Sequence, residues 1–241
     1  MGTGRGGTRM VTVRPAGERG HFDHGWLDTR HTFSFADYHD PAHMGFGPLR
    51  VINEDIIAPG AGFGPHPHHD MEIVTWVLEG ELAHRDNLGH ESVIRRGLLQ
   101  RMTAGTGVEH SEANASDRLP VHLIQIWMRP DRPGHAPEYE QRHLPLPERQ
   151  NRLRLAVSGD GADGSLRWHQ DARLWVAELG ADVTLEHPLA AGRRAWIQVT
   201  SGRVAVNAVG LGAGDGAAIE NVTRLDLAAD GECALLLFDL P

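Results

Sequence analysis

The sequence contains no lysine; all 23 of its basic residues are arginine. A Schiff-base lysine, a lysine-bound pyridoxal phosphate and the lysine of a phosphate-binding P-loop are therefore excluded together. Cysteine is nearly absent. Cys233 stands alone, so the chain forms no internal disulfide, no Cys-x-x-Cys redox pair, no all-cysteine zinc site and no cysteine-ligated iron–sulfur cluster. Its place in an apolar run predicts an inert, buried thiol. No apolar run approaches the ~18 residues of a membrane-spanning helix. Residues 1–14 are rich in Gly and Arg and lack the apolar segment of a secretory signal. A cytoplasmic protein without membrane contact is expected. A formal net charge of −9 argues against direct contact with nucleic acid, which demands basic surface to displace phosphate counterions.

What is present is an ordinary folding composition, 40% hydrophobic and 23% charged over 241 residues, enough for one large domain or two small ones. Histidine is the unusual component. There are 16, and only His169 and His187 follow residue 150. A histidine metal site must lie in the first half, because the second half cannot assemble three imidazoles of its own.

Residues 20–50, rich in aromatics, His and Gly, read as a looped N-terminal arm. From Arg50 onward the pattern becomes RVINEDII, MEIVTWVLEG, ELAHRD, ESVIRRG, LLQRMTAG, VEHSEA and PVHLIQIWM. These are short β-rich runs split by Gly and polar turns, the signature of an antiparallel sandwich or barrel. Residues 129–151 carry five prolines and read as a linker. Strand-like runs resume at LRLAVS and continue to LLLFDLP. MEIVTWVLEGELAHRDNLG and RRAWIQVTSGRVAVNAVG share a strand–Gly–strand pattern anchored at Gly80 and Gly202, and RRGLLQRM loosely matches GAGDGAAI. This internal repeat predicts an all-β chain of two stacked antiparallel barrels with few short helices. Residues 1–140, including an arm over 1–48, form the first unit, and 141–241 the second.

Two elements carry chemistry. In GPHPHHDMEI, His66 and His68 are two apart and share one face of an extended segment; Pro67 stiffens the pair. In MTAGTGVEHSE, His110 and Glu112 again share a face. Neighbouring strands bearing these pairs could supply three imidazoles and one carboxylate, a donor set that suits Fe(II), Ni(II), Mn(II) or Cu(II) and leaves positions open for substrate or O₂.

These residues resemble the cupin motifs. Gly60, five residues, then His66-Pro67-His68 fits the start of the first; Gly97, five residues, then Thr103-Ala104-Gly105, with His110 and Asn114 beyond, fits the second. Two departures stand out. Ile73 occupies the slot of the first motif's glutamate, with Glu72 one residue off, and the second motif has two extra residues before its histidine. Together with RHTFSFADYHDP, GPHPHHDMEIVTWVLEG, QRMTAGTGVEHSE and PEYEQR, they make the chain resemble the pirin family, and in particular its bacterial quercetinase-type branch. The resemblance runs to LLLFDLP. It implies a bicupin (two stacked double-stranded β-helix or jelly-roll barrels) with one metal in the first barrel, held by His66, His68, His110 and Glu112. The second barrel lacks metal; the positions matching His66 and His68 there are Pro188 and Ala190. The resemblance implies Fe(II) first, with Ni(II), Mn(II), Cu(II) and Zn(II) as alternatives.

The activity implied is a metal-dependent dioxygenase that opens the ring of a flavonol such as quercetin with O₂ and releases carbon monoxide. Glu112 would be both ligand and general base. The alternative is a metal- or redox-dependent regulator that binds a transcription factor or a metabolic enzyme. A monomer taking a small aromatic substrate is expected. Among the other residues, His69 should face away from the metal, and Glu72 could orient a ligand imidazole or be a plain structural carboxylate. His84, His90 and His122 read as surface or core histidines. Trp76, Trp127 and Met102 read as barrel core before pocket wall. Phe33, Phe35 and Tyr38 could close the barrel mouth, and Arg95, Arg96 and Arg101 read as solvated faces.

Overall fold

A computed structural model describes residues 10–241; residues 1–9 of the expected arm lie outside it. The seven β-rich runs of the first half are strands: Leu49–Ile57, Glu72–Glu79, Glu81–Asp86, Glu91–Arg95, Leu98–Thr103, Val108–Asn114 and Val121–Met128. Helix is confined to short turns, the α-helix Leu146–Arg149 among them. No helix among the described residues is long and apolar enough to cross a membrane.

The chain is the expected pair of stacked all-β cupin units. Each is a seven-stranded sheet facing a four-stranded one, a jelly-roll sandwich in place of a closed hydrogen-bonded barrel. The repeat is real at the level of backbone. In both small sheets four strands follow one another in the same order: Gly62–His68, Val108–Asn114, Glu81–Asp86 and Glu91–Arg95 in one, Thr184–Pro188, Arg224–Ala229, Arg203–Val206 and Val209–Gly212 in the other. Gly80 and Gly202 do the same work in each. Both have left-handed φ (79° and 69°), and a Cβ would lie 2.6 Å from Pro120 O at the first and 2.0 Å from Glu232 O at the second. Only glycine fits such a turn.

The large sheets pack against each other. Leu49, Ile52, Val74, Trp76, Ile124 and Ile126 from the first unit meet Val176, Trp196, Leu236 and Phe238 from the second in one apolar cluster. Trp76 thus belongs to the core, as does Met102. Phe33 is also buried here, 4.9 Å from Trp196, and so seals the seam between units instead of the barrel mouth. Cys233 is buried in the second unit's core.

The interiors of the two units differ in a way that matters for the site. The second has one continuous apolar core. The first has two, one around Val77, Leu98 and Leu123 and one around Ile73, Met102 and Trp127. Side chains alternate along a strand, so Ile73–Thr75–Val77, Leu98–Gln100–Met102 and Leu123–Gln125–Trp127 each place one polar residue between the two clusters. Thr29, Asp55, Thr75, Gln100 and Glu112 are all buried. A polar layer crosses the core of the first unit only.

Three expectations need correction. Glu138–His143 is a strand of the first large sheet, paired along its length with Leu98–Thr103, so the proline-rich stretch is not a linker, and the division at 140/141 passes through this strand. Val11–Arg14, from the expected arm of the first unit, pairs with Gly216–Ile219 of the second; alternating apolar residues find a partner edge there. Arg101 is fully buried. It donates to Thr103 (2.8 Å) and Glu138 (3.0 Å) and pairs with Glu140, because its strand is central and its partner carboxylates come from the added strand. Arg95 and Arg96 are solvated as expected.

Candidate metal centre

The strands Gly62–His68 and Val108–Asn114 lie antiparallel, with His110 opposite His66 and Val108 opposite His68. The register shifts between His110 and Glu112, which lets two residues of one strand face inward at different depths. The rings of His66, His68 and His110 converge, with centroids 4.5–4.8 Å apart. One nitrogen of each lies within 4.8 Å of those of the others.

The chemistry of this cluster fits a metal ion. Nδ1 of His66 donates to the Gly64 carbonyl at 2.8 Å, which leaves Nε2 with its lone pair free. Nε2 of His110 is buried and has no hydrogen-bond partner, an orphan that costs free energy unless something binds it. Burial, aided by the neighbouring imidazoles, holds His68 down to about 4 and His110 down to about 3. Both are therefore neutral near pH 7, the form that ligates.

Glu112 joins the site from the other side. Its carboxylate groups with His84 and His110, and Oε2 accepts from Gln125 Nε2 at 2.9 Å. Thr75 Oγ1 is 2.9 Å from Gln125 Oε1 and 3.4 Å from Glu112 Oε1. Burial and the nearby Asp55 charge push Glu112 up to about 7. Asp55, which accepts from Thr29 at 2.5 Å, is raised to about 6 by its own burial. Of the four expected ligands, three histidines come together directly, and the carboxylate sits beside His110 in the polar layer.

The remaining candidates sort by geometry. His69 points to solvent with its side chain 82% exposed. Glu72 accepts from Thr103 Oγ1 at 2.8 Å and is raised to about 7 by burial, a structural carboxylate beside Arg101 with no recorded bond to a ligand imidazole. His122 pairs with Glu54 at 2.9 Å, away from the cluster. Trp127 stands edge-on to His68 with centroids 4.8 Å apart, and Phe35 packs on Trp127 at 5.2 Å. Both therefore flank the histidine cluster. Tyr38 accepts from Arg14 Nη2 at 2.6 Å.

Sequence reasoning missed two residues here. His84 and Asp86 are fully buried behind His110. The signal was available: in ELAHRD, Leu82, His84 and Asp86 alternate, and Leu82 belongs to the core, so the other two had to point inward. Tyr139 stacks on His84 at 4.9 Å, from the strand Glu138–His143.

A family model described as Pirin matches residues 12–128, and one described as the quercetinase C-terminal cupin domain matches residues 155–240. A protein of Escherichia coli K12 named quercetin 2,3-dioxygenase is 48% identical over 232 residues, 96% of this chain and 99% of that protein. A pirin-like protein of Caulobacter vibrioides is 40% identical, over 95% of this chain and 99% of that one. Among solved structures, the bacterial pirin YhhW from Escherichia coli in complex with nickel(II) has a TM-score of 0.92 at 49% identity and covers 96% of this chain and 99% of that chain.

Proposed function

This chain belongs to the pirin family, and on that premise we propose that it is a metal-dependent dioxygenase of quercetin 2,3-dioxygenase type. It opens the ring of a flavonol such as quercetin with O₂ to give a ring-opened aromatic acid ester and carbon monoxide. The observation that carries the reading is the convergence of His66, His68 and His110, with His110 Nε2 buried and unpartnered. The relative named quercetin 2,3-dioxygenase and the nickel(II) complex of the bacterial pirin support it.

His66, His68 and His110 would hold one divalent transition metal, with Glu112 as the carboxylate ligand. Fe(II) suits three imidazoles and a carboxylate, and Ni(II) is the ion of the related complex. When bound, such an ion supplies Lewis acidity toward an enolic hydroxyl and a redox-capable neighbour for O₂. Glu112, once loosened from the ion, receives the proton of that hydroxyl. Its Oε2 is pinned by the Gln125 amide, so Oε1, held only by the longer Thr75 contact, is the freer oxygen and takes the proton. Trp127 and Phe35 give an aromatic face beside His68 for a substrate ring, backed by the buried Ile73 and Met102.

The test is carbon monoxide release from quercetin under O₂. The protein is reconstituted separately with Fe(II), Ni(II), Mn(II) and Cu(II), and His110→Ala serves as the blank. Metal-dependent release that the blank lacks is expected. A metal-loaded protein that releases none contradicts the proposal.

A further inference from the structure

Behind His110 lies a chain of buried groups that the reaction does not use. His110 Nδ1 is 3.4 Å from His84 Nδ1, and His84 Nε2 is 3.4 Å from Asp86 Oδ2. The His84 and Asp86 side chains are wholly buried. Tyr139 stacks flat on His84 and, at 4.7 Å, on His90, which fixes the plane of the His84 ring.

The positions of the protons follow from what each atom can do. Asp86 is acceptor-only. Oδ1 takes the backbone N–H groups of Leu88 (3.0 Å) and His90 (2.9 Å), and Oδ2 faces His90 Nδ1 at 2.9 Å. The His84 nitrogen that meets Asp86 must therefore be the one bearing hydrogen. A neutral imidazole has one N–H, so His84 Nδ1 is bare and accepts. The proton between the two Nδ1 atoms then belongs to His110. With Nδ1 protonated, His110 presents a lone pair at Nε2, the buried atom without a partner among the three converging histidines.

We infer that Asp86 and His84 are positioning residues that lock His110 in its Nδ1–H tautomer and thereby aim its Nε2 lone pair at the metal. The inference rests on the three-histidine metal reading above. It leaves His84 with no free lone pair, because Nε2 carries the hydrogen given to Asp86 and Nδ1 accepts from His110. It therefore selects the His66, His68 and His110 cluster over the alternative set of His84, His110 and Glu112.

Asp86→Asn is the discriminating variant. The two backbone N–H groups hold its carbonyl oxygen at the Oδ1 position, so its amide N–H₂ faces His84. That reverses every donor in the chain and leaves His110 protonated at Nε2. Long-range ¹H–¹⁵N spectra of the metal-free protein read the tautomer directly. The expected result is a protonated Nδ1 and a bare Nε2 on His110 in the wild type, interchanged in Asp86→Asn. The Kd for Ni(II) should weaken by about 10–100-fold in the variant, while the metal-free Tm changes little. His84→Phe keeps the ring on Tyr139 and removes both nitrogens; it should lose affinity to a similar extent and serves if Asp86→Asn does not fold. A wild-type His110 protonated at Nε2, or variants that bind Ni(II) as tightly as the wild type, would overturn the relay. Failure of the wild type to bind Ni(II) would strike the metal reading, while the metal-free spectra would still decide the relay.

Discussion

Replacing Glu112 by Gln should make the metal-free protein more stable at alkaline pH, although it removes a residue of the proposed site. Glu112 is buried, and burial with the Asp55 charge raises it from an ordinary 4.5 to about 7. A carboxyl held above its unfolded value stabilises the fold while protonated and loses that contribution as pH rises through the folded value. Between pH 4.5 and 7 the metal-free wild type should therefore lose stability. Each tenfold in ionisation is worth about 1.4 kcal/mol, which gives a loss of roughly 3 kcal/mol. Gln is nearly isosteric and carries no charge; an amide oxygen still accepts from Gln125. Metal-free Glu112→Gln should match the wild type near pH 4.5 and exceed it by up to about 3 kcal/mol at pH 8. For a chain of this size that is roughly 6–12 °C in Tm. Denaturant melts of chelator-treated protein at the two pH values provide the assay. Adding metal should reverse the ranking, because an ion beside the carboxylate favours its charged form. Equal stability at pH 8, or a less stable Glu112→Gln, would show that the carboxyl carries no burial cost.

Other consequences follow from the same geometry. Arg101→Met keeps the buried stem but strands Glu72 and frees Glu138 and Glu140; since the last two are about half exposed, a loss of about 1–3 kcal/mol is expected in urea melts at pH 8, and wild-type stability would contradict the burial argument. Gly105→Ala forces a side chain into φ +46°, with its Cβ 2.1 Å from His135 O. It should cost more than about 2 kcal/mol and weaken Ni(II) binding through the turn that feeds the His110 strand, both readable in one thermal titration. Trp127→Phe removes an indole N–H that is buried without a partner while keeping an aromatic wall. Stability should hold within about 1 kcal/mol while KM for quercetin rises at nearly constant kcat; a kcat collapse with unchanged KM would move Trp127 out of the substrate wall.

Much of this was readable from residues alone. The i, i+2 spacing of His66 and His68 and of His110 and Glu112 reports which side chains share a face, and Gly80 and Gly202 mark the repeat because a left-handed turn against a neighbouring strand tolerates nothing else. What stayed hidden were relations across the sheet. Arg101 looks solvated until Glu138–His143 is paired beside it, and that strand was masked by prolines that flank it. Glu112 shares a face with His110, yet the register shift between them seats it lower, among Thr75 and Gln125. His84 and Asp86 read as ordinary until Leu82 fixes which face of their strand is inward.

The claim that this chain is a metal-dependent dioxygenase is tested most directly by one turnover of quercetin under ¹⁸O₂, with mass spectrometry of the ring-opened product and the gas. Both labelled oxygen atoms are expected in the product, with unlabelled carbon monoxide, and neither product from His110→Ala. A product carrying a single label, or quercetin left intact by a protein with its metal bound, would contradict it.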